Sequence, residues 1–148
     1  MEIRMAEDKE ILEILTHWKT VMSEATAGYL DPKKDSELTP LAPFFYGDFD
    51  YLVCLEDEKI QGWIGIGEIR DIYIDESKGF ISELYVLPEH RNTGIGRYLC
   101  MEAIRRFKIE QYHSVQLNVF NGNHAKNLYG DLGFSEVSTL MELKLDTQ

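Results

Sequence analysis

A single mixed α/β domain is predicted by three features of the sequence. Apolar residues recur at helical spacing in some segments and alternate, or form β-branched runs, in others. The later strand-like segments lead directly into helix-like ones. Across 148 residues there is no internal repeat, low-complexity tract or linker, so residues 1–148 read as one domain with a sizeable core.

The opening EIRMA reads as a short strand. A helix starts near Asp8. Its apolar face is Ile11, Ile14, Leu15, Trp18, Val21 and Met22, its first turn is acidic as the helix dipole favours, and the pattern fades toward Gly28. Residues 31–50 hold three prolines and four aromatics and read as a long loop with room for one helical turn. Tyr29, Phe44, Phe45 and Tyr46 either line a substrate pocket or plug the edge of the core.

DYLVCLE and KIQGWIGIGEIRDIYID flank the polar turn Glu56, Asp57, Glu58 and read as an antiparallel pair. GFISELYVL is a further strand, stopped by Pro88, which has no amide hydrogen for a sheet. Ile95, Leu99, Cys100, Ala103, Ile104 and Phe107 make a helical stripe. SVQLNVF follows as a strand. Ala125, Leu128, Tyr129 and Leu132 make a shorter helix that closes at Gly133. EVSTLMELKL alternates Val137, Thr139, Met141, Leu143 and Leu145 and reads as a last strand.

Hydrophobic residues are 44% and charged residues 28% of the chain, an ordinary globular balance. The net charge of −11 argues against nucleic acid, which needs a basic patch, and against anionic membranes. It suits a cationic substrate or simply serves solubility. MEIRMAEDKE does not resemble a leader and no run of about 18 apolar residues occurs, so a cytoplasmic protein is expected. Cys54 and Cys100 read as buried free thiols. His17, His90, His113 and His124 lack partners at ligand spacing, so no metal is expected.

Two strings end in Gly-Ile-Gly. GWIGIGE lies inside a strand-like run with no helix after it, and its G-x-x-G-x-G spacing differs from the dinucleotide fingerprint. Gly62, Gly65 and Gly67 therefore read as strand residues at a close approach. RNTGIGRYL instead follows a strand and opens a helix. Free amides and the dipole at a helix start favour an anion, Gly94 and Gly96 allow its close approach, and Arg91 and Arg97 add positive charge.

The residues ELYVLPEHRNTGIGRYL resemble the cofactor segment of the GNAT superfamily of N-acetyltransferases, whose signature [RQ]-x-x-G-x-[GA] is filled by Arg91, Gly94 and Gly96 after a strand ending Val86-x-Pro88. NHAKNLYGDLGF is similar to the family's A-x-x-L-Y-x-x-x-G-F element, filled by Ala125, Leu128, Tyr129, Gly133 and Phe134. The resemblance spans nearly the whole chain. It implies a mostly antiparallel mixed sheet of six to seven strands flanked by about four helices. It also implies acetyl-coenzyme A as cosubstrate, with its pyrophosphate on the turn Arg91, Asn92, Thr93, Gly94, Ile95, Gly96 and Arg97. The backbone of Leu84, Tyr85 and Val86 would run beside the pantetheine arm. The family often places Asn three residues before the Ala. Gly122 stands there, so the resemblance passes that contact to Asn121 or Asn123, and Asn123 is carried forward.

The implied reaction moves an acetyl group from a thioester to a primary amine of a small molecule or peptide, expected to be cationic. Near neutral pH fewer than about one alkylamine in a thousand is unprotonated, so a base is needed. Glu83 is the first candidate, with Glu68 the second and water alone the third. Glu83 also reads as a solvated charge on an open sheet face. By resemblance Tyr129 protonates or holds the departing sulfur; it also reads as a core aromatic. The same fold without the reaction, as a coenzyme A sensor or inactive homologue, is the other reading. The chain is compatible with a homodimer.

Overall fold

The computed structural model describes residues 1–35 and 49–146. Among them, in chain order, are β1 (Glu2–Met5), α1 (Asp8–Leu15), α2 (Trp18–Ala25), β2 (Asp50–Glu56), β3 (Lys59–Asp71), β4 (Glu76–Val86), α3 (Ile95–Ile109), β5 (Val115–Leu117) and α4 (Ala125–Asp131). One sheet runs in the order β1-β2-β3-β4-β5. The first four strands are antiparallel neighbours, and β5 is parallel to β4.

Strand alternation divides the core into two layers. Leu52, Cys54, Ile64 and Ile81 face α3, where Leu99, Cys100, Ala103 and Phe107 meet them, with Tyr129 of α4 alongside. Val53, Leu55, Trp63 and Tyr85 face the other way, toward Ile14 of α1 and Val21 of α2. Cys54 and Cys100 are free thiols within the first layer. β1 is fastened to α1 by Arg4, whose two terminal nitrogens each donate to an oxygen of the buried Glu10 carboxylate at 2.7 Å. That guanidinium, beside the carboxylate, holds Glu10 below the usual carboxylate range.

Four expectations change. The first helix is two: the Thr16 hydroxyl bonds back to the Glu13 carbonyl at 2.6 Å, and His17 caps a new helix. The long strand from Lys59 ends at Asp71, and residues 72–75 form the turn into β4. SVQLNVF contributes only Val115–Leu117. The last strand does not form: residues 135–146 are exposed and outside the sheet, so the described residues hold five strands rather than six or seven. The alternation there is that of a strand, but no neighbouring strand in the described sheet pairs with it. Most of the expected loop, with Phe44, Phe45 and Tyr46, lies outside the described residues. Tyr29 is exposed, stacks on Phe120 and donates to Glu142.

Candidate active site

The site begins with a fault in the sheet. Register between β3 and β4 runs from Gly62 opposite Val86 to Gly65 opposite Glu83, then resumes with Ile66 opposite Ile81. Ser82 is the extra residue, a β-bulge. A side chain at Gly65 would overlap the Ser82 hydroxyl, so glycine is what lets the bulge form. The bulge also ends the β4–β5 pairing. Gly79, Phe80 and Ile81 pair with Val115, Gln116 and Leu117, and none of the β4 residues beyond Ser82 does. From Glu83 to Val86 the β5 side of β4 is open among the described residues, and that stretch contains Leu84, Tyr85 and Val86.

The open stretch leads to the glycine turn. After Val86 a short 3-10 turn, Pro88–His90, precedes Arg91. Asn92 (φ 63°) and Gly94 (φ 90°) then take left-handed conformations, and Gly94 caps α3. The first helical bond of α3 runs from the Tyr98 amide to the Gly94 carbonyl, so the amides of Ile95, Gly96 and Arg97 have no acceptor within the helix. Thr93 braces the turn through its hydroxyl to the His90 carbonyl at 2.7 Å. Gly96 lies against Leu84, Val86 and Leu128, where the end of β4 meets α4. Arg97 is exposed on this turn, with no ion pair to a described residue. Three outward amides, a helix dipole and one unpaired guanidinium make a binding position for an anion such as a pyrophosphate.

Arg91 has another task. Its Nε donates to the Val86 carbonyl at 2.8 Å, its terminal nitrogen pairs with Glu24 of α2 at 2.8 Å, and its guanidinium sits 5.2 Å from the Tyr85 ring centre. It fastens the turn to the end of β4 and to α2.

Glu83 is the half-buried carboxylate at the bulge. Trp63 Nε1 donates to it at 2.7 Å and the Tyr51 hydroxyl at 3.3 Å. Burial pushes its carboxyl above the usual carboxylate range, and the two donors hold back part of that rise. Burial, with the Glu83 charge, likewise pushes the Tyr51 hydroxyl upward. Trp63 is itself wedged between His17 and Tyr85, at ring distances of 5.4 and 5.1 Å. A carboxylate whose affinity for a proton has been raised, held by rigid donors beside an open strand edge, is suited to proton acceptance.

The profile of the acetyltransferase (GNAT) family matches residues 12–134, the greater part of the chain. The chain belongs to the GNAT acetyltransferase family.

Solved structures of similar fold agree with that membership. A GCN5-related N-acetyltransferase of Ralstonia eutropha JMP134 is 24% identical, with TM-score 0.72 and 97% of each chain covered. A tetramutant of the BH1408 protein of Bacillus halodurans is 25% identical, with TM-score 0.70, covering 98% of this chain and 100% of that one. An aminoglycoside acetyltransferase from an uncultured soil sample is 17% identical, with TM-score 0.65 and 98% of each chain covered. No curated protein matches the sequence.

In this GNAT chain the remaining candidates divide. Tyr129 is buried in the α3 layer, edge-on to Phe134 at 5.9 Å, and no described residue accepts from its hydroxyl. Burial pushes that hydroxyl well above the ordinary tyrosine range. It belongs to the α3 layer, whereas Glu83 bonds into the Trp63 layer, so the two groups lie in layers on opposite faces of the sheet. Glu68 is elsewhere: it stands opposite Gly79, on the α3 face, and accepts from the Tyr112 hydroxyl at 2.6 Å. Asn123 has its side chain committed to the fold. Its Oδ1 accepts from the Ala125 amide, starting α4, and its Nδ2 donates to the Ala25 carbonyl at the end of α2. Gly62 and Gly67 also follow packing: a side chain would meet the Tyr85 carbonyl at 2.9 Å in the first case and overlap the Phe49 ring in the second.

Sequence reasoning missed Trp63, Tyr51 and Ser82. Trp63 sits between two glycines in an apolar run, and no local spacing marks its indole as a donor to a residue twenty positions away. Among the described residues no group of three His, Cys, Asp or Glu side chains is arranged to hold a metal ion, and no helix is long and apolar enough to cross a membrane.

Proposed function

We propose that this GNAT chain is an acetyl-coenzyme A-dependent N-acetyltransferase that acetylates a primary amine of a cationic small molecule or peptide by direct attack of the amine on the thioester. The observation that carries this reading is the fault at Ser82, which leaves one strand edge open between an anion-ready helix start and a carboxylate of raised proton affinity. When bound, acetyl-coenzyme A supplies an activated acetyl group on a thiol of pKa near 8.5, a fair leaving group.

The residues present fit such a cosubstrate. The amides of Ile95, Gly96 and Arg97, with the Arg97 side chain, would hold the pyrophosphate. The edge of Leu84, Tyr85 and Val86 would hold the extended arm. Glu83 takes a proton from the incoming ammonium, directly or through water, and Trp63 and Tyr51 keep its carboxylate aimed. Tyr129 presents its hydroxyl to the departing sulfur. A hydroxyl of raised pKa keeps its proton at neutral pH and so holds the departing sulfur by donating a hydrogen bond to the negative charge that develops on it. Asn123 serves the cosubstrate only indirectly, by fixing α4 and with it Tyr129.

Thermal unfolding with and without coenzyme A, followed by thiol release from acetyl-coenzyme A across an amine panel, tests the reading. At a hundred times Kd the ligand adds about 2.7 kcal/mol of stability. Stabilisation with amine-dependent thiol release is expected. Stabilisation without release for any amine would favour the coenzyme A sensor, and no stabilisation would remove both.

A further inference from the structure

We propose that the outer face of α3 seats the nucleotide end of coenzyme A, with the Tyr98 ring as the platform on which its adenine stacks. The inference rests on the coenzyme A reading above and adds a residue outside the motif of Arg91, Gly94 and Gly96. It starts from a break in a pattern. An amphipathic helix turns polar residues outward. α3 buries Ile95, Leu99, Cys100, Ala103 and Phe107, yet its outer face carries Tyr98, 52% exposed, and Met101, 49% exposed. No described residue stacks on the Tyr98 ring or bonds to its hydroxyl. Packing within the described chain does not account for an exposed ring at this position.

The ring is placed by the geometry of the helix. Helical side chains lean toward the N-terminus and cover the turn before their own Cα. Tyr98 does so: a methyl at Gly94 would lie 3.5 Å from its Cε2 and 3.8 Å from its Cδ2. The ring therefore lies beside the glycine turn, next to the free amides of Ile95, Gly96 and Arg97 that suit a pyrophosphate. In coenzyme A one ribose separates the pyrophosphate from the adenine. A base joined to phosphates on those amides comes within reach of the ring.

Charge selects the occupant. The chain has a net charge of −11, yet Ile95–Ile109 carries Arg97, Arg105, Arg106 and Lys108 against the single acid Glu102. Glu102 is itself held by Arg105 and Arg106. Arg97, Arg105 and Lys108 are exposed, as Tyr98 and Met101 are. α3 is thus a basic helix in an acidic chain, with apolar groups on its outer face. A cationic amine is repelled there, and a purely apolar partner gains nothing from the charge. A flat base carried on phosphates uses both features: the ring gives it a stacking face, and the basic side chains give its phosphates a positive field.

Calorimetry on the full chain with two ligands tests the assignment. Coenzyme A carries the nucleotide; phosphopantetheine has the same arm and one phosphate, but no ribose or base. Tyr98→Ala is expected to weaken coenzyme A binding about ten-fold and to leave phosphopantetheine binding within about two-fold. Tyr98→Phe, which keeps the ring, is expected to bind coenzyme A as the native chain does. Tyr98→Trp is expected to hold that affinity. Its indole emission, taken against that of the native chain, is expected to be quenched by coenzyme A and not by phosphopantetheine. An unchanged coenzyme A affinity in Tyr98→Ala overturns the inference and leaves the coenzyme A reading standing. Equal weakening of both ligands also overturns it, since the ring would then only brace the glycine turn. Failure of coenzyme A to bind the native chain removes the reading and the inference together.

Discussion

Glu83 shows how little of a site a single residue reveals. Its place on a strand was legible, because GFISELYVL alternates and stops at Pro88, and the resemblance pointed to a base on that strand. What distinguishes it from Glu68 was not legible: Glu83 has the indole of Trp63 and the hydroxyl of Tyr51, whereas Glu68 is held by Tyr112 on the opposite face. Those partners are 20, 32 and 44 residues away along the chain, and local patterns do not encode such pairings. The two arginines of the turn divide in the same way. Arg91 is engaged with Glu24 and Val86, so Arg97 is the cation left for a phosphate. Arg97→Ala is expected to weaken coenzyme A binding about ten-fold and to reduce its dependence on salt, measured by calorimetry at several ionic strengths. Tyr129→Phe keeps the packing against Phe134 and removes the hydroxyl. A fall in kcat of roughly 10- to 1,000-fold is expected, smaller with an acyl donor whose thiol is more acidic, and affinity for acetyl-coenzyme A should hold.

Elements were read well where their signal is local. The helix from Ile95 and the β2–β3 hairpin appeared where periodicity and the polar turn placed them. That hairpin closes through Asp57 and Glu58, both at positive φ, a pair of conformations that side chains resist. Glu58→Gly is expected to stabilise the chain by about 0.5–1 kcal/mol, seen as a rise in melting temperature, because glycine adopts that φ without strain. The bulge at Ser82 carries the opposite sign. Gly65→Ala sets a methyl against the Ser82 hydroxyl and is expected to cost about 1–3 kcal/mol in chemical unfolding. Coenzyme A affinity, by contrast, should change less than it does for Arg97→Ala. The bulge was invisible in the sequence, since it is a mismatch between two strands and belongs to neither. The terminal alternation from Val137 to Leu145 was visible, but a strand exists only when it has a partner, and its own sheet supplies none among the described residues.

At the scale of the whole molecule, the sheet fault, the helix start and the charge act together. The net charge of −11 favours cations over the surface as a whole, and on the proposed reading the free amides of α3 with Arg97 offer an anion a place locally. The raised proton affinity of Glu83 has a consequence for folding as well as rate. The native state holds that proton at pH values where the unfolded chain has lost it. Stability is therefore fully present below the usual carboxylate range and declines as pH rises toward the native value of Glu83. With Glu83 as the proposed base, the rate is expected to have the opposite slope, because only the ionised carboxylate accepts a proton. The most direct measurement is kcat/KM for amine-dependent thiol release against pH, in the native chain and in Glu83→Gln. An acidic limb placed above the ordinary carboxylate range is expected in the native chain, and in Glu83→Gln a slower reaction without that limb. A Glu83→Gln chain with the native rate and the native pH profile would contradict this expectation.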